Sequence, residues 1–230
     1  MHPDVPQWAR DVSSRVSGVE HDHISRFAPA PDHARAAAVL VVLRDRGYGP
    51  ETVLVTRSSR LRAHAGQVAF PGGAVDDDDS GPIATALRET SEETTLNPQH
   101  LHPLCIWPSL WIPVSGFAVT PVFAWCADDA DVNGREDDTE VVSAHAVTFA
   151  AAAAPTARTM VRYPNGATGP AFDIDGLFVW GFTGLVLDRI LHFVGWEQPW
   201  QPSNVVDLPG TTPTPPDSLG PRDSAVGGVA

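Results

Sequence analysis

A short polar segment before the middle of the chain places one arginine and three glutamates at helical spacing. They are Arg88, Glu89, Glu92 and Glu93. Positions i, i+3 and i+4 share one face of a helix, so the three carboxylates can converge. Even on an exposed helix they repel one another by roughly 0.2–0.5 kcal/mol per pair, and partial burial increases the repulsion. The arrangement therefore calls for a compensating cation.

Carboxylate oxygens are hard ligands, and at this density they suit Mg²⁺ or Mn²⁺. Magnesium usually takes one or two protein carboxylates and completes its octahedron with water and substrate phosphate. The alternative is a solvated acidic helix face, which is what a run of charges usually marks. The context favours the metal site, because a Pro-Gly-Gly turn and an aspartate-rich loop precede the helix.

The stretch from Gly73 to Leu96 resembles the Nudix box, a loop–helix–loop in which a glycine, a distal acid and an Arg-Glu-x-x-Glu-Glu helix bind metal. The resemblance implies that Gly73 opens the box, that Asp79 is the first acid and that Arg88 orients this acid. It also implies that the three glutamates of the helix hold the cations.

The segment departs from the general box pattern at three points. The gap from Asp79 to Arg88 is one residue longer, the first acid is Asp where Glu is usual, and Thr95 stands where the box normally has glycine. Glycine is used where φ is positive or where two backbones approach closely. If position 95 requires a left-handed conformation, a β-branched residue there strains the end of the helix.

The run LVTRSSRLRAHAGQVAFPGG, residues 54–73, is similar to a second signature that marks the coenzyme A pyrophosphatase branch of the family, which also carries a longer box. Three arginines of this run are predicted to bind phosphate, because guanidinium forks match phosphate oxygens; surface salt bridges are the alternative. Gly72 and Gly73 are predicted to let the backbone approach a phosphate or to make the turn into the box. The three arginines are Arg57, Arg60 and Arg62.

Glu140 and the segment 178–183 are candidates of lower weight. Glu140, at the start of a late predicted strand, is a predicted additional metal ligand or base, with simple surface exposure as the alternative. His64 is left out of the catalytic set, because a lone histidine is more often a structural hydrogen-bonding residue. The segment 178–183, with Trp180 and Gly181, resembles the C-terminal part of the same branch and belongs either to the core or to a nucleotide or pantetheine pocket.

The resemblance implies metal-dependent hydrolysis of the pyrophosphate of CoA or CoA thioesters to 4′-phosphopantetheine, or its acyl derivative, and adenosine 3′,5′-bisphosphate. In this hypothesis Glu89 and Glu93 are the first metal ligands, and Glu92 is a further ligand or the base that deprotonates water. Two alternatives stay open. One is a Nudix pyrophosphatase that acts on ADP-ribose, NADH or another nucleotide derivative, and the other is a catalytically silent Nudix domain that senses a nucleotide or binds a partner.

Patterns along the chain agree with an α/β architecture. Runs rich in Val and Leu at 36–44 and 51–56 predict adjacent strands, and the turn after them leads to a helix predicted over 83–94. Helices are also predicted over 150–160 and over the apolar segment 177–193. Together with the resemblance, these elements predict a Nudix fold with a mixed β-sheet sandwiched between helices (α/β/α).

The length and charge of the chain limit its organisation and partners. We expect a helical N-terminal extension at 1–33, a hydrolase domain at 34–200 and a disordered Pro/Gly-rich tail at 201–230. A formal net charge of −13 argues against nucleic acid and anionic membranes, so the expected partner is a small nucleotide; homodimers are common in the family. The absence of an apolar signal run at the start favours the cytoplasm, with Cys105 and Cys126 as buried thiols.

Overall fold

In a computed structural model, the structure describes residues 3–26, 28–58, 66–135 and 141–208. The helices are α1 (Gln7–Val16), α2 (His21–Ile24), α3 (Pro82–Glu93), α4 (Phe149–Ala153) and α5 (Gly181–Val194), with a 3₁₀ turn at Pro98–His100. The strands are β1 (Arg35–Leu43), β2 (Glu51–Arg57), β3 (Val68–Ala69), β4 (Gly72–Ala74), β5 (Leu101–Ile106), β6 (Leu110–Ile112), β7 (Phe117–Cys126), β8 (Val141–Thr148), β9 (Arg158–Arg162), β10 (Thr168–Ile174), β11 (Leu177–Val179) and β12 (Val205–Asp207).

Over these ranges the strands form three sheets. In the largest sheet β1 lies between β4 and β7, and β7 also pairs with β5 and β6. Strands β1 and β7 run parallel, whereas the other pairs of this sheet are antiparallel, so the sheet is mixed. A second sheet has the order β3-β2-β8, and a third has the order β11-β10-β9-β12.

Strand β1 divides the hydrophobic core into two layers, because alternate side chains of a strand point to opposite faces. Ala38, Leu40 and Val42 belong to a buried cluster that includes the inner side of α3. Val41 and Leu43 belong to a second cluster, which contains apolar residues of α1 and α5. Helices therefore cover both faces of the mixed sheet, and the α/β/α arrangement predicted from the sequence is confirmed.

The segment expected to be an N-terminal extension contains α1 and α2. Val12 and Val16 of α1 are fully buried in the same cluster as the inner face of α5. The indole N–H of Trp107 donates to the carbonyl of Val16 at 2.9 Å, and Arg15 donates to the carbonyl of Val194 at 2.9 Å. This segment therefore packs as part of the main core.

Two helix predictions in the C-terminal half are wrong in their bounds. The helix predicted over 150–160 ends with α4, because Pro155 disfavours helical geometry in the preceding residue; Ala154 has an extended ψ of 131°. The helix predicted over 177–193 begins only with α5, since its first three residues form β11 against β10. None of the helices within the described ranges is long and apolar enough to span a lipid bilayer.

The last described strand lies in the segment, from residue 201 on, for which the sequence predicts disorder. Val205, Val206 and Asp207 form β12 and pair in parallel with β9. Leu208 is the last residue that the structure describes.

Gly72 sets how closely β4 approaches β1. Its φ is +153°, and a Cβ added there would meet the carbonyl oxygen of Ala38 and lie 2.6 Å from the Cα of Val39. Any side chain at this position would push β4 away from β1. The residues that follow β4 would then move as well, so this glycine positions the start of the acidic segment.

We expect Gly72→Ala to lower the free energy of unfolding by about 1–3 kcal/mol more than Gly47→Ala does. Gly47 also has a positive φ of +90°, but no described atom lies within 4 Å of an added Cβ, so this variant isolates the cost of the backbone conformation. Urea unfolding of both variants measures the difference. Equal losses of stability would contradict a steric role for Gly72.

Candidate active site

Helix α3 carries the acidic constellation, and its two ends are defined locally. Gly81 precedes the first turn with φ +143°, and Pro82 occupies the first helical position, where a missing N–H leaves no hydrogen bond unmade. The helix ends at Glu93, because Thr94 turns to an extended conformation with φ −132° and ψ 166°. Glu93 belongs to the buried side of the helix, whereas Glu92 is exposed.

The two glycines of β4 lie against two of the three carboxylates. The backbone N–H of Gly72 donates to Oε2 of Glu93 at 2.9 Å. A Cβ on Gly73 would lie 2.5 Å from the carboxylate atoms of Glu89, so only glycine allows the backbone to approach this group. The end of the upstream motif and the acidic helix therefore form one structural unit.

Asp79 and Arg88 form a two-point ion pair. Arg88 donates from Nε to Oδ1 of Asp79 at 3.1 Å and from Nη2 to Oδ2 at 2.9 Å. Oδ2 also accepts from the hydroxyl of Thr85 and from the backbone N–H of Asp76, each at 2.9 Å. The hydrogen bonds from Arg88 hold the pKa of Asp79 well below its usual range, and the same contact raises the pKa of Arg88. Asp79 is thus surrounded by donors that orient it.

The remaining terminal nitrogen of Arg88 lies between two carboxylates of its own helix. Nη1 is 2.8 Å from Oε1 of Glu89 and 3.2 Å from Oε2 of Glu92. Nη2 also donates to the carbonyl of Ala74 at 3.1 Å, which ties the arginine to the end of β4. One guanidinium therefore compensates the charge of two glutamates and links the helix, the acidic loop and the sheet.

Glu93 is the most buried of the three glutamates, with a side chain only 6% exposed against 57% for Glu92. Its Oε1 lies 3.5 Å from Nη1 of Arg57, the last residue of β2. Its Oε2 accepts the hydrogen bond from Gly72 described above. The fold therefore brings Arg57, one of the predicted phosphate ligands, into contact with the acidic helix.

Thr95 follows the helix and joins it to a neighbouring loop. Its backbone N–H donates to the carbonyl of Asn133 at 3.0 Å, and its hydroxyl accepts from the N–H of Asn133 at 3.0 Å. Among the described residues, the only non-glycine with a positive φ is Asp175. Thr95 is therefore not left-handed, and the strain considered from the sequence does not arise.

A family model described as the NUDIX domain matches residues 33–164, more than half of the chain. The chain belongs to the Nudix family. It is 43% identical over 128 residues to a protein of Shigella flexneri named uncharacterized Nudix hydrolase NudL, a match that covers 53% of this chain and 66% of that protein. The NudL protein of Escherichia coli K12 is 44% identical over 108 residues, 47% of this chain and 55% of its own length. The chain thus spans less than two thirds of these relatives.

A solved structure supports the Nudix fold. The Nudix hydrolase RenU from M. smegmatis aligns with a TM-score of 0.50 at 16% identity, covering 77% of this chain and 93% of that one. At this level of identity the likeness concerns the fold alone. The Nudix fold predicted from the sequence is confirmed.

The Nudix-box glutamates supply oxygen donors of the kind that Mg²⁺ and Mn²⁺ prefer. Within the described ranges, no three His, Cys, Asp or Glu side chains are placed to hold a metal ion by themselves. Magnesium needs only one or two protein carboxylates when water and a substrate phosphate complete its shell. The carboxylate of Glu89 packs against the bare backbone of Gly73 and accepts a hydrogen bond from Nη1 of Arg88 at 2.8 Å, so the glycine and the arginine hold it in place. The donors therefore fit a divalent cation shared with a phosphate substrate.

Several predicted site residues lie outside the described residues. They are Arg60 and Arg62, predicted to bind phosphate, and Glu140, predicted as a metal ligand or base; His64, which is not in the predicted catalytic set, also lies outside the described ranges. Their roles stay predictions. Trp180, from the C-terminal resemblance, is partly buried, and its ring centroid lies 6.3 Å from that of Tyr163.

Thr85 is a site residue that the sequence reasoning missed. It is fully buried, and its hydroxyl donates to Asp79 at 2.9 Å, with the carbonyl oxygen of Gly81 as a second acceptor at 3.3 Å. The available signal was its spacing, because it precedes Arg88 by three residues on the same helix face. That spacing alone did not distinguish it from a threonine that bonds only to its own helix.

Asp79 contributes pH-dependent stability. Its pKa in the folded protein lies below the ordinary value of 3.8, so the ionised group stabilises the fold above that pH and the contribution is lost as the pH falls further. We expect the difference in unfolding free energy between wild type and Asp79→Asn to be constant from about pH 5 to 8 and to shrink below about pH 4. Urea unfolding with a chelator present measures it, with the exposed neighbour Asp78→Asn as control. A difference that persists unchanged at pH 3 would contradict this.

Thr95 is expected to support the box. We expect Thr95→Gly, which restores the usual family residue, to lower the free energy of unfolding by about 1–2 kcal/mol, because it removes a hydrogen bond and adds backbone entropy to the unfolded chain. Thermal and urea unfolding measure this loss. Thr95→Ser keeps the hydroxyl and serves as the control. A glycine variant that is more stable than wild type would show that Thr95 is strained after all.

Proposed function

We propose that this protein is a divalent-metal-dependent Nudix hydrolase that cleaves the pyrophosphate of CoA or CoA thioesters. The products are 4′-phosphopantetheine, or its acyl derivative, and adenosine 3′,5′-bisphosphate. We assign this activity to residues 34–200. The activity and substrate of the whole protein are part of the proposal, because the curated relatives match only over part of their length.

One observation carries the proposal: the box helix and the end of the upstream motif meet at the same carboxylate. Glu93 accepts a hydrogen bond from Gly72 at 2.9 Å and lies 3.5 Å from Arg57. Gly72 and Arg57 belong to the run that resembles the CoA pyrophosphatase signature. A phosphate bound near this run would therefore lie close to the glutamates that are proposed to hold the metal.

The three glutamates differ in burial, and we assign their roles accordingly. Glu93 and Glu89 are the proposed metal ligands. Both side chains are mostly buried; the N–H of Gly72 in β4 holds Glu93, and Arg88 holds Glu89. Glu92 has the most exposed side chain and is proposed as a further ligand or as the base that takes a proton from the attacking water. When bound, a divalent cation neutralises pyrophosphate charge and lowers the pKa of a coordinated water.

Binding an anionic substrate to this acidic protein requires positive charge at the site itself. The chain has a formal net charge of −13, so a nucleotide is repelled unless cations and arginines compensate at the site. Arg57 places a guanidinium beside the box, and Arg60 and Arg62 follow it closely in the sequence. CoA carries a 3′-phosphate in addition to its pyrophosphate, and guanidinium groups are suited to both.

We expect purified protein with Mg²⁺ or Mn²⁺ to hydrolyse CoA and acetyl-CoA, with the products resolved by mass spectrometry. ADP-ribose, NADH and dephospho-CoA should be hydrolysed with lower kcat/KM, because they lack the 3′-phosphate. Glu93→Gln should lower kcat by about 100-fold or more, since it removes a charged metal ligand. The matched control is Glu20→Gln, at an exposed glutamate in the N-terminal segment.

Each other outcome has a distinct meaning. Turnover of ADP-ribose or NADH alone would keep the Nudix chemistry and overturn the CoA assignment. Equal turnover of CoA and dephospho-CoA would remove the role proposed for the arginines. Tight nucleotide binding with no turnover of any substrate would identify a silent Nudix domain instead.

A further inference from the structure

One carboxylate oxygen in the box is the meeting point of three hydrogen-bond donors. Oδ2 of Asp79 accepts from Nη2 of Arg88, from the backbone N–H of Asp76 and from the hydroxyl of Thr85, each at 2.9 Å. Asp76 lies in the same acidic loop as Asp79, whereas Thr85 lies on α3. The threonine is therefore the contact that fixes this carboxylate to the helix independently of Arg88.

This contact compensates for the two differences between this chain and the general Nudix pattern around the first acid. Asp79 is one methylene shorter than the glutamate usual in the family, and the segment from it to Arg88 is one residue longer. A shorter side chain on a longer loop has more freedom to place its carboxylate. The hydroxyl of Thr85 removes that freedom, because it is fully buried and holds Oδ2 at hydrogen-bond distance.

The position of the Asp79 carboxylate determines, through Arg88, how the guanidinium meets the glutamates of α3. Asp79 holds Nε and Nη2 of Arg88, and with the guanidinium plane fixed in this way, Nη1 lies between Glu89 and Glu92 at 2.8 and 3.2 Å. A planar guanidinium cannot turn one nitrogen without moving the others. A shift of the Asp79 carboxylate would therefore change how Arg88 meets both glutamates.

We propose that Thr85 is a positioning residue of the box: through Asp79 it fixes the guanidinium of Arg88 between Glu89 and Glu92. Its effect on catalysis rests on the proposed hydrolase function, whereas its effect on Arg88 does not. Because Thr85 is buried beneath the site, it acts only through these neighbours and does not touch the substrate.

The test compares Thr85→Val with Thr85→Ser and Thr90→Val. Valine keeps the shape of threonine and removes the hydroxyl, while serine retains it. Thr90 is the matched control, because it is fully buried on the same helix and its hydroxyl donates to the backbone carbonyl of Ala86 at 2.7 Å. The first readout is the hydrogen-exchange rate of the Arg88 Nε–H, which NMR measures in the presence of a chelator.

We expect the Arg88 Nε–H to exchange about tenfold faster in Thr85→Val, and at the wild-type rate in Thr85→Ser and Thr90→Val. With CoA and Mn²⁺, kcat of Thr85→Val should fall by about 3- to 10-fold with KM nearly unchanged. In the Asp79→Asn background the valine substitution should have no further effect on either quantity. A merely structural role would lower the melting temperature and leave the exchange rate and kcat, measured well below it, unchanged.

Two results would overturn the inference. One is wild-type exchange of the Arg88 Nε–H in Thr85→Val, and the other is an equal change in Thr90→Val. If the wild-type protein turns over no substrate, the proposed function fails, and the exchange measurement still decides the role of Thr85.

Discussion

Repulsion among Glu89, Glu92 and Glu93 is the constraint that the surrounding structure satisfies. Like charges on neighbouring helix positions cost roughly 0.2–0.5 kcal/mol per pair in water, and the cost grows as the groups are buried. Arg88 contacts two of the carboxylates, and the buried third receives the Gly72 N–H and lies near Arg57. The compensating groups thus come from the helix, from β4 and from the end of β2.

These contacts depend on the register of the central sheet. Gly73 and Gly72 of β4 pair with Ala38 and Val39 of β1, and α3 covers the same part of the sheet. The pairing with β1 therefore holds β4 where the N–H of Gly72 reaches Glu93 and the backbone of Gly73 packs against Glu89. A shift of β4 by one residue would replace Gly72 by a neighbour with the opposite orientation, since the pleat repeats every second residue.

The departures from the general Nudix pattern are accommodated by contacts particular to this chain. Asp79 is held by Arg88, Thr85 and the loop backbone, so a shorter acid still orients the arginine. Thr95 exchanges two hydrogen bonds with Asn133 instead of adopting a left-handed turn. With these residues in place, Nη1 of Arg88 lies beside Glu89 and Glu92.

The sequence by itself determined the parts of the protein that depend on neighbours along the chain. The helix predicted over 83–94 is observed as Pro82–Glu93, and the strands predicted at 36–44 and 51–56 differ from β1 and β2 by one residue at each end or less. Helical periodicity, the glycine turn and the spacing of the charges are local signals, so they were readable in advance.

Only the tertiary structure decided which glutamate is buried, which backbone N–H it meets and that Thr85 holds Asp79. It also decided the structure at one end of each predicted C-terminal helix, because β9 takes up residues 158–160 and β11 takes up residues 177–179. These features arise from contacts between segments that are distant in sequence. Helical spacing alone cannot show which face packs on the sheet, because that choice depends on where β1 and β4 lie.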